Sequence, residues 1–203
     1  MKILQTKSAP NPRRVRIFLA EKNLQVPFEE LDLMGGALKR PEFTKLNPLQ
    51  RVPVLLLDDG TAIAETMAIC RYFENTNPEP ALFGRSAIEA AQVEMWNRRM
   101  ELGLLFSVAQ AFRHLHPAMA ALEQPQVPAW GEANKPKALE ILAIIDDQLS
   151  RHPFIAGAHF SVADITALVA VDFMKPARIE RPAALSNLAR WHAAVASRAS
   201  AKA

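Results

Sequence analysis

The hydrophobic pattern changes character along the chain. In the first third, short apolar runs of strand length alternate with helical spacing. Lys2–Thr6 reads as a short strand, and Ser8-Ala9-Pro10-Asn11-Pro12 ends it. A helix follows, with Val15, Ile17, Phe18 and Leu19 as candidate core residues and Asn23 near its end. Pro12 suits the first helical turn, where a missing N–H costs nothing, and Asn11 suits the cap just before it. Phe28–Leu33 alternates apolar and acidic residues, as a second strand would. Gly35-Gly36 and a short helical turn led by Pro41 bring the chain to Val52-Pro53. Val54–Leu57 is a third strand, and Asp58-Asp59-Gly60 is a hairpin turn signal with a fourth strand returning from it. Met67, Ile69, Cys70 and Phe73 then fall at helical spacing. The predicted order is β-α-β, a crossover, β-β, then α, which makes a mixed sheet with helices on its faces.

Beyond this point the strand signals stop. Asn75-Thr76-Asn77-Pro78-Glu79-Pro80 is rich in turn residues. The expected organisation is an α/β domain over 1–78, a linker over 79–85 and an all-helical domain over 86–203. Ser86 to about His114 reads as one long helix with Val93, Met95, Met100, Leu102, Leu105, Phe106, Ala109 and Phe112 as apolar positions. Pro117, Pro125 and Pro128 punctuate a loop. Lys135–Leu149 is predicted as a second helix, Ser161 to about Phe173 as a third, and about Ala183 to Val195 as a fourth. No internal repeat is visible.

Composition narrows the function classes. Half of the 203 residues are apolar, as in an ordinary globular protein. The net charge of +3 is spread along the chain and does not point to a nucleic-acid partner. A single cysteine, Cys70, excludes an intramolecular disulfide and a Cys-x-x-Cys redox pair. The N-terminus lacks the apolar core of a signal peptide, and no apolar run approaches the ~20 residues that span a bilayer. The cytoplasm is the expected location.

Gln50–Thr66 is the most informative stretch. Pro53 sits at a strand entrance, where it costs no ladder hydrogen bond. A hairpin follows, then an acid-hydroxyl pair, Glu65-Thr66, at a helix start. This combination resembles the glutathione-binding half of the glutathione transferases, whose N-terminal domain is thioredoxin-like and whose C-terminal domain is all helical. The resemblance covers nearly the whole chain. It extends to Ser161 and Asp164, which stand as the N-capping box of the transferases' buried C-terminal helix, with Asp in place of the usual Glu.

The resemblance implies roles. Pro53 resembles the cis-proline of thioredoxin-like proteins, which turns the preceding backbone, here Val52, toward an extended peptide such as glutathione. Glu65 is expected to pair with the γ-glutamyl ammonium. The Thr66 hydroxyl and the helix N–H groups are expected to receive the adjoining carboxylate. Lys39 and Arg51 are expected to face the glycyl carboxylate or the peptide backbone. Cys70 and Tyr72 read as packed residues.

The thiol activator stays open. Favouring thiolate over a thiol of pKa near 8.5 needs about 1.4 kcal/mol for each unit of lowering. Most transferases use Tyr, Ser or Cys near the first helix. The run Ser8-x-x-Asn11-Pro12-Arg13-Arg14-Val15-Arg16 most resembles an atypical bacterial and fungal group without a standard catalytic side chain. Asn11 can donate its amide N–H to sulfur beside the helix N-terminus, or serve as a plain cap. Ser8 can donate a hydroxyl, or be a loop residue. His114, near Arg113 and His116, can polarise a water, or be structural.

The activity that follows is conjugation of glutathione, as co-substrate, to small electrophiles in a homodimer without a metal. The Ser8–Pro10 loop, Met34, Arg99, Leu102, Leu105, Phe106, Ala109 and Arg113 are the expected electrophile wall. A glutathione-dependent disulfide or peroxide reductase and a non-enzymatic binding module are the alternatives.

Overall fold

The computed structural model describes residues 1–203. It divides into two compact units: Met1–Ala81 together with Ala199–Ala203, and Leu82–Arg198.

The first unit holds four strands, β1 (Lys2–Gln5), β2 (Phe28–Glu30), β3 (Val54–Leu56) and β4 (Ala62–Ala64). They lie in the order β2-β1-β3-β4, with β2 parallel to β1 and the other pairs antiparallel. Strand alternation sends successive side chains to opposite faces. Leu4 and Val54 therefore share a face, where they pack with Leu38 and Phe43, the latter from α2 (Pro41–Leu46). Ile3 and Leu55 turn to the other face and are fully buried. Helices α1 (Pro10–Glu21) and α3 (Thr66–Thr76) pack on each other and bury Ile17, Phe18, Ile69 and Phe73.

Three details differ from the pattern. The alternating stretch Phe28–Leu33 predicts a half-buried strand, but β2 stops at Glu30 and all three of its residues are exposed. It is an edge strand with one neighbour, and only the following Leu31 and Leu33 pack against the core. Helix α1 starts at Pro10, with Ala9 as its cap, so Asn11 lies inside the first turn rather than capping it. Pro10, with fixed φ and no N–H, fits the first helical position. Finally, Ala199–Ala203 group with the first unit and not with the helical residues before them. Ser200 Oγ donates to Glu21, and Arg13 Nη2 donates to the Ala201 carbonyl at 3.2 Å.

The stretch after α3 is held by a buried lysine. Lys22 Nζ donates to the carbonyls of Asn77 (2.7 Å) and Pro80 (2.8 Å) and pairs with Glu74 Oε2 at 2.7 Å. These carbonyls lie at the end of a helix and beyond it, where no intrahelical donor reaches them.

The helical unit contains α4 (Ala87–Arg98), a π-helical segment (Arg99–Leu105), α5 (Phe106–Leu115), α6 (Pro128–Arg151), α7 (Val162–Phe173) and α8 (Ser186–Ala196). No helix is long and apolar enough to cross a membrane. Helix α7 is buried from Val162 to Val171. Its N-terminus carries the expected box: Ser161 Oγ accepts from the Ala163 N–H, and Asp164 Oδ2 accepts from the Ser161 N–H at 3.0 Å.

The predicted long helix is continuous but not uniform. Its π-helical middle changes the register of side chains around the axis. Leu102, Leu105 and Phe106 would share one face of an α-helix. Here Leu102 and Phe106 are 62% and 47% exposed, whereas Leu105 is 6% exposed. Leu105 is thus a core residue and leaves the expected wall. Helix α6 begins at Pro128, well before the predicted Lys135, and contains Pro136. Pro136 and Glu132 both face solvent, so water can satisfy the carbonyl that Pro136 leaves without a donor. The last helix starts at Ser186, not Ala183.

Candidate active site

The sheet register brings most of the predicted site residues to one end of the first unit. Leu4 pairs with Val54, and Val54 pairs with Ala64. The turn after β1, the segment entering β3 and the corner after β4 therefore leave the sheet at the same end. Ser8 and Asn11 follow β1, Arg51, Val52 and Pro53 precede β3, and Glu65 and Thr66 follow β4. Two strand spacings, about 10 Å, separate β1 from β4. That is about the length of an extended chain of three residues.

The turn after β1 is braced from several sides. Arg16 donates from Nη1 to Gln5 Oε1 at 2.7 Å and from Nη2 to the Lys7 carbonyl at 3.0 Å. Burial, and then the neighbouring Arg13, lower the pKa of Arg16. The Lys7 N–H donates to Glu30 Oε1 at 2.7 Å, and Thr6 Oγ1 donates to the Leu31 carbonyl at 3.0 Å. Ser8, at the tip, is exposed. Asn11 is also exposed, and its Oδ1 accepts from Nη1 of the buried Arg14 at 3.1 Å.

The approach to β3 is set by Asn47, which is 3% exposed. Its Nδ2 donates to the Arg51 carbonyl at 2.9 Å, while its Oδ1 accepts from the Leu49 N–H at 3.1 Å. Gln50 completes the bend with φ of 53°. The Val52–Pro53 peptide is cis. Val52 lies outside the β3 ladder, and the Arg51 side chain is exposed.

Glu65 occupies the corner between β4 and α3 with φ of 70° and ψ of 124°. A non-glycine residue there is strained by about 1–3 kcal/mol and persists only when its surroundings impose it. Its side chain is exposed and does not cap α3. Thr66 begins the helix and is buried. With no side-chain cap, the first-turn N–H groups of α3 remain available to an anion.

Comparison with known proteins decides the family. The family model for the glutathione S-transferase N-terminal domain matches residues 9–76, and the one for the C-terminal domain matches residues 128–194. Glutathione S-transferase 2 of Saccharomyces cerevisiae is 38% identical over all of this chain and 88% of its own length. The chain belongs to the glutathione S-transferase family. Among solved structures, a glutathione S-transferase domain-containing protein of Marinobacter aquaeolei is 41% identical with a TM-score of 0.96, covering 98% of this chain and 99% of that one. A glutathione S-transferase of class Gtt2 from Vibrio parahaemolyticus is 38% identical with a TM-score of 0.87, covering 98% and 95%.

The other predicted residues of this transferase fold come from other elements. Lys39 ends a short 3-10 turn, Ala37–Lys39, and is exposed. His114 belongs to the helical unit, in the last turn of α5. Its Nδ1 accepts from the Val127 N–H at 3.0 Å, so the ring proton sits on Nε2. His114 thus holds the start of α6 and has only a donor left on its other nitrogen. On the long helix, Arg99 stacks over Trp96 at 4.6 Å and Arg113 pairs with Glu123 at 2.5 Å. Sequence reading assigns no role to Arg16 or Asn47, and it offers Arg14 only as positive charge near the thiol, without its contact to Asn11. For the arginines, a signal was present in the charges interrupting an otherwise apolar face of α1.

Proposed function

We propose that the convergent end of the sheet is the glutathione site of a glutathione transferase, and that its residues take the following roles. The Val52 backbone pairs with the extended tripeptide. Glu65 pairs with the γ-glutamyl ammonium, while the Thr66 hydroxyl and the α3 N–H groups hold the γ-glutamyl carboxylate. Arg51 and Lys39 face the glycyl carboxylate or the backbone. Asn11 donates an amide N–H to the sulfur, beside the N-terminus of α1. The thiolate attacks a small electrophile, a new S–C bond forms, the leaving group departs with its electron pair, and the thiol proton passes to solvent.

One observation carries this reading: Glu65, a charged and exposed residue, is held at a backbone angle that costs energy, at the mouth of an uncapped helix. A purely structural corner would use glycine there. Ser8 and a water held by the His114 Nε2–H are the competing thiol activators. The exposed Arg99, Leu102 and Phe106 favour an electrophile with an apolar body and an acidic or polarised group. A cytoplasmic homodimer is the expected working form. The relative matched over the whole of this chain carries the name of a transferase, which supports conjugation over the reductase and the binding-module alternatives.

Titration calorimetry with reduced glutathione tests the site. Wild type should bind, and Glu65→Ala should weaken binding about tenfold or more, because hydrogen bonds to charged groups are worth about 1.5–3 kcal/mol. Unchanged affinity in a folded Glu65→Ala variant removes the assignment. Conjugation of a chloro-nitroaromatic should outpace glutathione-dependent reduction of a small disulfide on the same preparation, and the reverse ratio would make the protein a reductase.

A further inference from the structure

We propose that Arg14 is a positioning residue for thiol activation, fixing the Asn11 amide so that only N–H bonds face outward. The inference rests on the reading that Asn11 meets the sulfur. Arg14 is 1% exposed and sits one turn along α1 from Asn11. Its Nη1 lies 3.1 Å from Asn11 Oδ1. A guanidinium carries donors and no acceptor, so the amide atom it meets must be oxygen. The amide is planar, so its NH2 group is directed away from the buried guanidinium, on a residue that is exposed.

The orientation matters because an amide is two-faced. A surface asparagine rotates freely about its last torsion, which is broad and roughly two-fold. Half of its orientations would present an acceptor oxygen to a thiolate and repel it. The buried guanidinium removes that half. Arg14 is thereby distinct from a cation that acts on sulfur through its field alone, and the two roles make opposite predictions when Asn11 is removed.

The test is the apparent pKa of bound glutathione, read as thiolate absorbance against pH, in wild type, Arg14→Met, Asn11→Ala and the double variant. Positioning predicts that Arg14→Met raises the pKa by about one unit when Asn11 is present. In the Asn11→Ala background the same change should give no further rise, and Arg14→Lys should recover part of the effect. An equal rise in both backgrounds overturns the proposal, since a direct field does not need Asn11. An unshifted pKa in Asn11→Ala alone instead removes the reading of Asn11, and the thiol role of Arg14 with it.

Asn11→Asp gives a second arm that keeps the buried arginine, should Arg14→Met fail to fold. The carboxylate still accepts from Arg14, so thermal stability should match or exceed wild type. No N–H remains to face the sulfur, so the thiolate pKa should rise beyond that of Asn11→Ala. A fall in stability, or a pKa equal to that of wild type, contradicts the geometry.

Discussion

Trp191 donates its indole N–H to Asp164 Oδ1 across 2.8 Å, tying α8 to the first turn of α7. The same carboxyl accepts from the N–H groups of Ile155 (2.9 Å) and Ser161 (3.0 Å) and lies 3.2 Å from Ser161 Oγ. It is 0% exposed. Burial pushes its pKa up to about 6 against the pull of these donors.

A raised folded-state pKa makes the protonated carboxyl the stabilising form. That contribution is complete below the unfolded value near 3.8 and is lost as pH rises through about 6. Asp164→Asn removes the titration. The stability advantage of wild type over Asp164→Asn, from urea unfolding, should therefore shrink by about 2 kcal/mol between about pH 4 and pH 7. An advantage constant with pH would mean that the donors keep the carboxyl ionised throughout.

Lys22 and Glu74 form a buried ion pair, with three backbone carbonyls around the ammonium. Removing one partner of such a pair strands the other and costs about 3–5 kcal/mol. Lys22→Met should lower the urea midpoint accordingly, and Lys22→Met/Glu74→Leu should recover only the part owed to the stranded carboxylate, because the three carbonyls still lack their donor. A single variant as stable as wild type would show that water reaches the pair.

Glu65 separates strain from binding. Glycine accepts the positive φ, and alanine does not. Glu65→Gly should be more stable than Glu65→Ala by about 1 kcal/mol. Both should bind glutathione poorly. Equal stabilities would place Glu65 in an ordinary backbone basin.

Gly131 lets α6 pass close to the end of α5. A Cβ added there would lie 2.6 Å from Leu115 Cγ and 3.2 Å from His114 Cβ. Gly131→Ala should destabilise by about 1–3 kcal/mol. A neutral result would show that the α5 side chains can move aside.

What the sequence disclosed follows from how each feature is encoded. The succession of strands and helices along the first unit, the hairpin at Asp58-Asp59-Gly60 and the box at Ser161 and Asp164 are local signals, readable within a few residues. Glu65-Thr66 was legible because an acid and a hydroxyl at a helix start are chemically distinct. The π-helical segment was not, because Arg99–Leu105 contains good α-helix formers, and the register change is seen only in which side chains are buried. Leu105 and Leu102 are identical in type and opposite in exposure. The start of α6 was hidden for a similar reason. Pro128 and Pro136 read as breakers, yet the first sits where no N–H is needed and the second on a solvated face. Of the two readings of Asn11, the cap rested on what its residue type most often does, and the structure puts Ala9 there and the Asn11 oxygen on Arg14 instead.

The most direct measurement is the initial rate of chloro-nitroaromatic conjugation against glutathione concentration, for wild type and Glu65→Ala side by side. Wild type should turn over with a rate that saturates in glutathione. Glu65→Ala should need about tenfold or more glutathione to reach half-saturation, matching the loss of a charged hydrogen bond of about 1.5–3 kcal/mol. A wild-type rate no faster than the uncatalysed reaction, or an unchanged half-saturation in the folded variant, would contradict a glutathione site at this end of the sheet.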